Sequence, residues 1–157
     1  MTALIVSDLH GRENHLCRLL ERVGKLDYIF FLGDGYANAA ALCVSSPAAF
    51  VGVKGNCDSF FCDATEEMTL DIDGVRIFLH HGHTSGVKHG LGGACAEALR
   101  READVCLFGH THQKYISYEQ REGRKPFYLF NPGALASGEF GILEIRRGEL
   151  LLSHGCL

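Results

Sequence analysis

The sequence predicts a mixed α/β or α+β fold, with two packed β-sheets as one arrangement that it allows. In the first half of the chain, short apolar runs alternate with segments of helical periodicity. In the second half, the apolar runs are separated mainly by turn residues, which is typical of consecutive strands. The length of 157 residues and the hydrophobic fraction of 46% are usual for one domain, so we expect residues 1–157 to form a single domain.

The first half is predicted to contain three buried strands and two helices. Leu16, Leu19, Leu20 and Val23 recur at helical spacing, and Gly24 follows them as a helix stop. A second helix is predicted to end before a Ser-Ser-Pro segment. The strands are expected at residues 3–6, 28–32 and 50–53, and the helices at residues 12–24 and 37–44.

The second half is predicted to contain one helix and six strands. Asp73-Gly74 lies between two apolar runs, which is a strong signal for a two-residue β-hairpin turn. Arg147-Gly148 is predicted to turn the chain into its last strand, and the charged run at 119–125 is expected to be a solvated hairpin tip. The helix is expected at residues 91–102 and the strands at 68–72, 75–79, 105–108, 128–130, 141–145 and 150–153.

Charge and cysteine content exclude several classes of protein. The net charge of −4 gives neither a broad nucleic-acid surface nor a polybasic membrane signal. The apolar run at residues 3–6 is too short for a secretory or membrane-spanning segment. The seven cysteines are odd in number and form no C-x-x-C pair, so we expect no disulfide framework, a cytoplasmic location, and thiols that mostly act as small buried hydrophobic groups.

Five apolar runs are each followed by side chains that can bind a metal ion. Ligands collect outside the carboxyl ends of parallel strands in α/β sheets. If the five strands are parallel neighbours, we expect these side chains to converge on one edge of the sheet. The candidate donors are Asp8, His10, Asp34, Asn56, His81, His110 and His112.

This donor set predicts two metal ions. Seven donors exceed the needs of one tetrahedral zinc site, and they suit two ions that share a carboxylate. Imidazole and oxygen donors without a thiolate favour Mn, Fe, Zn or a mixture of them. Two ions about 3.5–4 Å apart form a clamp for in-line attack on phosphorus by a bridging hydroxide. We therefore predict a centre that hydrolyses phosphate esters.

Each motif has a simpler interpretation when it is taken alone. The segments 33–35 and 55–56 are typical of turns, and 8–10 is typical of a loop before a helix. His80 and His81 point to opposite faces of an extended strand, so only His81 is expected to bind metal, whereas the alternate residues of 110–112 are expected to share a face. The occurrence of all five motifs in this order favours the metal site.

These motifs resemble those of the calcineurin-like metallophosphoesterase superfamily, and more closely those of its short prokaryotic phosphodiesterase subfamily. The resemblance extends from residue 3 to about residue 145, which is nearly the whole chain. The motifs that carry it are Asp8-x-His10, Gly33-Asp34, Gly55-Asn56-Cys57-Asp58, His81-Gly82-His83, Gly86-Val87-Lys88, Gly109-His110-Thr111-His112 and Asn131-Pro132-Gly133.

The resemblance implies a fold and a ligand scheme. The fold is an α/β (α+β) sandwich of two mixed β-sheets flanked by helices. Asp34 would bridge two divalent ions, with Mn expected first and Fe, Zn or Ni as alternatives. One ion would be held by Asp8, His10, Asp34 and His112, and the other by Asp34, Asn56, His81 and His110. The catalytic residues would be Asp34, Asn56 and His83, the last as a phosphate contact, a proton donor or a support behind the ligands.

Two regions of the chain depart from the family pattern. Cys57 stands where many superfamily phosphatases carry a histidine proposed as the general acid, and a thiol is a poor substitute for that proton donor. This favours diesters with good leaving groups, and Cys57 is expected to be a small buried neighbour of the site. In the loop after Asn131, Ala134, Ser137 and Gly138 replace the serine and the Pro-Arg pair usual in the subfamily, so that loop's contacts are not carried over.

We therefore expect an enzyme, a metal-dependent phosphodiesterase acting on a small phosphodiester, with a homo-oligomer also allowed. One alternative is a phosphomonoesterase, which Cys57 argues against. The other is a metal-binding protein-interaction scaffold, because one branch related to the subfamily is the scaffold subunit of a membrane-coat complex with a degraded metal site. The complete ligand set argues against that role. Tyr36, Phe60 and Phe61 are candidates for stacking on a base, with core or surface packing as the other interpretation.

Overall fold

The computed structural model describes residues 1–157, which form two five-stranded sheets, three α-helices and one 3-10 turn at Leu135–Ser137. The helices are α1 (Glu13–Arg22), α2 (Tyr36–Cys43) and α3 (Gly92–Arg100). The strands are β1 (Thr2–Val6), β2 (Tyr28–Phe31), β3 (Ala49–Gly52), β4 (Glu67–Ile72), β5 (Val75–His80), β6 (Val105–Leu107), β7 (Lys114–Glu119), β8 (Phe127–Pro132), β9 (Glu139–Arg146) and β10 (Glu149–Cys156).

Both sheets are mixed. The first has the strand order β10-β9-β1-β2-β3, in which β1, β2 and β3 are parallel and β9 and β10 are antiparallel to their neighbours. The second has the order β4-β5-β6-β8-β7, in which β5, β6 and β8 are parallel and the two edge strands are antiparallel. The predicted sandwich of two mixed sheets is therefore confirmed.

The core lies in three layers because the central strands are buried on both faces. Ala3 and Ile5 of β1 face the second sheet, where they join a buried cluster that includes Phe130. Leu4 of β1 points the other way and packs with Leu16 of α1. A third cluster packs the alanines of α3 against the outer face of the second sheet. The helices therefore flank the sandwich, and burying each such Leu, Ile or Phe side chain contributes about 1.5–3 kcal/mol.

The local turn chemistry agrees with the prediction at the first hairpin. Asp73 and Gly74 connect β4 to β5 with φ values of 50° and 74°, as a two-residue turn with positive φ at both positions requires.

The edge strand β7 was not predicted, because both of its faces are largely exposed and its side chains lack the apolar run of a buried strand. None of the helices combines the length and apolar composition needed to cross a membrane.

The prediction that most of the cysteines are buried is wrong. Only Cys43 and Cys106 are buried, and all seven thiols are free. Cys17 is exposed because it lies on the outer face of α1, while Leu16 and Leu19 occupy the inner face. Apolar neighbours in the sequence do not determine whether a thiol is buried. In a helix, the position of the residue around the helix axis decides whether its side chain faces the core.

Candidate metal centre

The candidate donors come from both sheets and meet at one end of the sandwich. They follow β1, β2, β3, β5 and β6 along the chain, and these strands lie in two different sheets. The prediction of one edge of a single sheet is therefore wrong in detail. The carboxyl ends of two packed parallel arrays supply the donors, which brings more loops to one place than one sheet edge does.

The first donor group consists of Asp8, His10 and His112. Nε2 of His112 lies 3.2 Å from Oδ1 of Asp8 and 3.2 Å from Nε2 of His10. Nε2 of His10 lies 3.6 Å from the same Asp8 oxygen. The three ligand atoms therefore surround a volume of the size of one coordination sphere.

The second donor group contains Asp34, His81 and His110, with Asn56 beside them. Nε2 of His81 lies 3.4 Å from Oδ2 of Asp34, 3.1 Å from Nδ1 of His110 and 3.2 Å from Oδ1 of Asn56. This group offers two imidazole nitrogens and two oxygens, a set that suits a divalent transition metal.

Asp34 lies between the two groups. Its Oδ2 atom is 3.7 Å from Nε2 of His10 in the first group and 3.4 Å from Nε2 of His81 in the second. Its other oxygen accepts a hydrogen bond of 2.8 Å from the backbone amide of Cys57. The side chain is only 2% exposed. One carboxylate thus faces both groups, as a bridging ligand must.

The donor set fits a cation on the chemistry of its own atoms. Oδ1 of Asp8 is buried and has no hydrogen-bond partner, while Oδ2 accepts from the backbone amide of His110 at 3.0 Å. A buried acceptor without a partner costs about 1–3 kcal/mol. A divalent ion held by Asp8, His10 and His112 would satisfy that oxygen.

The ring of His81 is oriented by the backbone and presents one nitrogen to the donor group. Nδ1 of His81 donates to the carbonyl oxygen of Leu32 at 2.7 Å, which directs Nε2 toward Asp34. Without a cation, burial opposes the charged form of His81, but the hydrogen bond to Asp34 and the charges of Asp8 and Asp34 outweigh it and raise the pKa of His81, and a bound ion would replace that proton. Burial and the nearby His81 charge lower the pKa of His110 to about 4, so its imidazole is neutral at pH 7. Burial opposes ionisation of Asp34, but hydrogen bonds from His81 and the Cys57 amide outweigh it and hold the pKa of that carboxyl well below its usual range.

Backbone strain is concentrated at the donors. Eight non-glycine residues have positive φ, and five of them are candidate ligands. Such conformations are rare outside glycine and persist only where the surroundings fix them. They allow a strand end to turn its side chain back toward the site. The five are Asp8 (56°), His10 (42°), Asp34 (63°), His110 (67°) and His112 (57°).

Comparison with known proteins shows the family. The model of the calcineurin-like phosphoesterase superfamily domain matches residues 1–155. This chain belongs to that superfamily. A probable metallophosphoesterase of Bacillus subtilis, YsnB, is 33% identical over 138 residues, which cover 86% of this chain and 75% of the relative. Membership makes the protein a phosphoester hydrolase by class, with candidate ligands for divalent metal.

Solved structures share the fold of this calcineurin-like phosphoesterase. A predicted phosphoesterase of Streptococcus pneumoniae has a TM-score of 0.75 and 25% identity over 99% of this chain and 88% of that one. An archaeal phosphodiesterase has a TM-score of 0.73 and 20% identity over 98% and 99%. Vps29 of Entamoeba histolytica, solved with Zn²⁺, has a TM-score of 0.68 and 21% identity over 99% of both chains. At these lower identities the likeness concerns the fold alone.

Asp58 supports the centre of this calcineurin-like phosphoesterase from behind Asp34. Its carboxylate accepts hydrogen bonds from the backbone amides of Asp34 (2.9 Å), Gly35 (2.8 Å), Tyr36 (2.8 Å) and Gly55 (2.7 Å). It thereby ties the loop after β2 to the loop after β3. Asp58 was not among the predicted functional residues, although its place in the Gly55–Asp58 motif was a signal for such a role.

Asn131 supports the loop that carries His110 and His112. Its buried Nδ2 donates to the carbonyl oxygen of Gly109 at 2.8 Å and to Oγ1 of Thr111 at 3.0 Å. Its Oδ1 accepts from the backbone amide of Gly133 at 2.9 Å. Asn131 belongs to a motif that carries the family resemblance, but it was not predicted to have a role of its own.

The expectation that His110 and His112 share a face is wrong. β6 ends at Leu107, and both histidines lie in the following turn with positive φ. His110 therefore joins His81 and Asp34, whereas His112 joins Asp8 and His10. An extended strand would have sent both to the same group, so the turn is what distributes them.

The expectation that Cys57 is buried is also wrong. Its side chain is exposed because it stands on a turn at the mouth of the site. The backbone amide makes the contact with Asp34, while Sγ lies within 4.8 Å of ligand atoms of His10 and Asp34 and accepts a hydrogen bond from Asn56 at 3.3 Å.

His80 and His83 flank the candidate ligand His81. The ring of His80 points away from the candidate donors and stacks on Phe78 at 4.8 Å, so only His81 of the two adjacent histidines faces them. The ring of His83 lies 5.5 Å from that of His81 and 6.2 Å from that of His110, between centroids. Its Nδ1 is buried without a partner, and burial followed by the His81 charge lowers the pKa of His83.

Proposed function

We propose that this protein is a dinuclear metal-dependent phosphodiesterase that acts on a small phosphodiester. The observation that carries the proposal is the position of Asp34, whose Oδ2 faces both donor groups at 3.4 and 3.7 Å. A carboxylate shared in this way suits two ions close enough to act on one phosphoryl group. The family membership supports the hydrolase class, and the finer assignment is our own.

In this proposal, seven side chains would hold the metal ions, and Asn56 and His83 could also contact the substrate phosphate. Bound ions would generate a nucleophile from water at neutral pH and neutralise the phosphoryl oxygens. Asp8, His10, Asp34 and His112 would form one ligand set, and Asp34, Asn56, His81 and His110 the other. Asn56 is exposed at the mouth, so its amide can also face a bound phosphate. His83, with a ring beside His81 and His110, is placed to bind a phosphoryl oxygen or to donate a proton.

The rim of the site favours diesters over monoesters. Departure of an alkoxide from a monoester is assisted by a proton donor, and the side chain that follows Asn56 is a thiol, which is a weak donor. A diester with a good leaving group departs without that assistance. The archaeal phosphodiesterase with the same fold is consistent with this preference.

The proposed metals are Mn first, with Fe, Zn or Ni as alternatives. Four imidazoles combined with carboxylate and amide oxygens suit any of these ions, and availability decides among them. Calorimetric titration of the chain after metal stripping would give the stoichiometry for each ion. Two ions per chain are expected, and one would overturn the dinuclear proposal.

The decisive experiment compares a diester and a monoester with the same leaving group. Metal-stripped protein is assayed with bis(4-nitrophenyl) phosphate and 4-nitrophenyl phosphate before and after Mn²⁺ is added. We expect Mn²⁺-dependent turnover with a higher kcat/KM for the diester. Asp34→Asn and His81→Ala should lower this turnover by at least about a hundredfold, because loss of even a residue behind the ligands costs about 10–100-fold. The exposed His89→Ala variant is the matched control and should keep the wild-type rate.

Other outcomes would redirect the assignment. Faster monoester turnover would point to a phosphomonoesterase, and a monoester with an alkoxide leaving group would then test for a proton donor other than Cys57. Turnover that survives in Asp34→Asn would contradict the bridging role.

A metal-binding scaffold is the second candidate, because Vps29 has the same fold and one of its structures holds Zn²⁺. Against it, the donor set is complete and the buried Asp8 oxygen is unsatisfied without an ion. Two bound ions with no turnover of any diester would favour the scaffold. One domain over residues 1–157, a cytoplasmic location and a homo-oligomer stay predictions.

A further inference from the structure

Two adjacent phenylalanines are the most exposed large hydrophobic side chains of the protein. Phe60 and Phe61 are each 89% exposed, and their ring centroids lie 5.7 Å apart at an interplanar angle of 85°. Single exposed apolar side chains are ordinary on protein surfaces, whereas two adjacent exposed aromatic rings form an apolar patch, and such patches are candidate ligand-binding sites. Tyr36, the third aromatic residue near the site, packs instead in T-shaped contacts with Phe31 and Phe50.

The pair stands on a short anchored segment next to the metal centre. One turn is closed by the Asp58 amide on the Gly55 carbonyl at 3.3 Å, and the next by the Cys62 amide on the Ser59 carbonyl at 2.9 Å. Oγ of Ser59 also accepts from the Phe61 amide at 3.2 Å. The four hydrogen bonds to the Asp58 carboxylate fix the start of this segment against Asp34. The backbone that carries the two rings is therefore fixed next to the centre.

The span of chain from Asn56 to Phe60 is short enough to bring the rings near a substituent of a phosphate bound at the centre. Phe60 lies four positions after Asn56, and even a fully extended segment of that length spans no more than about 14 Å. The two turns shorten it further. A nucleoside or aryl group attached to a phosphate at the centre therefore lies within reach of the rings.

The charges around the pair select the kind of aromatic ligand. Exposed Asp63 and Glu66 follow the phenylalanines, and the whole chain carries a net charge of −4. These carboxylates repel a long polyanion, so a nucleic-acid strand is disfavoured. A small diester carries its single negative charge at the phosphate and presents an uncharged base to the rim. Base–aromatic stacking tolerates every base because each has a flat π-face.

We propose that Phe60 and Phe61 form a stacking platform that selects small phosphodiesters with a nucleobase or aryl substituent on the group retained after cleavage. The proposal rests on the proposed phosphodiesterase activity and deepens it. The platform determines specificity and takes no part in bond breaking.

The test holds the leaving group constant and changes only the retained group. Thymidine 5′-(4-nitrophenyl phosphate) and methyl 4-nitrophenyl phosphate both release 4-nitrophenolate and both carry one negative charge. For the Mn²⁺-loaded wild type we expect kcat/KM to favour the thymidine ester by at least about fivefold, the low end for one stacked base. In the Phe60→Ala/Phe61→Ala variant this ratio should fall toward one.

A matched control removes exposed apolar surface elsewhere. Val44 follows α2 and is 83% exposed, and Leu151 lies on β10 and is 63% exposed. The Val44→Ala/Leu151→Ala variant should keep the wild-type ratio. An unchanged ratio in the phenylalanine variant, or an equal fall for both esters, would overturn the platform. Conversion of a dimer to a monomer by the phenylalanine variant, with the ratio kept, would assign the pair to a protein interface and overturn it as well.

A second readout separates failure of the platform from failure of the proposed function. The chain contains no tryptophan, so Phe61→Trp introduces a single indole fluorophore on the rim. Fluorescence quenching by thymidine 5′-(methyl phosphate), and not by dimethyl phosphate, would support stacking even if no ester were turned over. Absence of quenching by either compound, together with normal turnover of both nitrophenyl esters, would contradict the stacking proposal and leave the proposed hydrolase activity supported.

Discussion

The carboxylate of Asp58 accepts a hydrogen bond of 2.9 Å from the backbone amide of Asp34, although the two residues follow different strands. The same carboxylate accepts three further backbone amides, so it fixes the left-handed conformation in which Asp34 faces both donor groups. A carboxylate that accepts only backbone hydrogen bonds thus fixes the position of the proposed bridging ligand.

Asp58→Ala is expected to weaken both folding and metal binding. Loss of the carboxylate leaves four amides without their acceptor, and we expect the free energy of unfolding to fall by about 2–4 kcal/mol. Calorimetric titration with Mn²⁺ should show at least about tenfold weaker binding, as loss of a residue behind the ligands does. Asp63→Ala, which removes an exposed carboxylate from the same segment, should change neither quantity. Equal effects of the two variants would contradict the role of Asp58.

Asn131→Ala is expected to loosen the turn that carries His110 and His112. Its buried amide bonds the Gly109 carbonyl and the Thr111 hydroxyl, and both would lose a partner. We expect the unfolding free energy to fall by about 1–3 kcal/mol and the affinity for Mn²⁺ to fall by about tenfold or more. Urea denaturation and calorimetric titration measure the two effects. Wild-type affinity in a destabilised variant would show that Asn131 supports the fold and not the ligands.

Gly109→Ala is expected to disturb the first donor group by direct overlap. A Cβ atom there would lie 1.9 Å from Oγ of Ser7 and 2.9 Å from Oδ2 of Asp8. Overpacking of this kind costs about 1–3 kcal/mol, so the melting temperature and metal affinity should both fall. Adding Ser7→Gly should restore part of both. Gly92→Ala, where a Cβ meets nothing within 4 Å, should be neutral or slightly stabilising.

Metal removal is expected to lower the melting temperature. An ion at 100 times its Kd stabilises the folded state by about 2.7 kcal/mol. For a chain of this length, EDTA should therefore lower Tm by about 5–10 °C, and Mn²⁺ should restore it. Differential scanning fluorimetry checks this directly. Asp8→Asn, which alters only the first donor group, should reduce the Mn²⁺-dependent shift, and Asp34→Asn, which alters the carboxylate between the two groups, should abolish it. A full shift in Asp34→Asn would place the ions elsewhere.

Much of the fold could be predicted because its signals are local. The continuous apolar run of β1, the helical spacing in α1 and the Asp73-Gly74 turn all depend on neighbours within a few positions. β7 escaped prediction because an exposed edge strand carries no apolar run. Cys57 was expected to be a buried neighbour of the site because it lies within a ligand motif, whereas its exposure depends on the direction of the turn that carries it.

By itself, the sequence determined the inventory of the centre: which strand ends carry donors, that the donors are imidazole and oxygen, and which family the motifs resemble. Only the tertiary structure decided how those donors divide into two groups, that Asp34 lies between them, and that Asp58 and Asn131 hold the loops. The reason is that these relations join residues far apart in the chain, such as the His110 amide and the Asp8 carboxylate, 102 positions apart. They depend on positive φ at the strand ends and on the packing of two sheets, which no local pattern encodes.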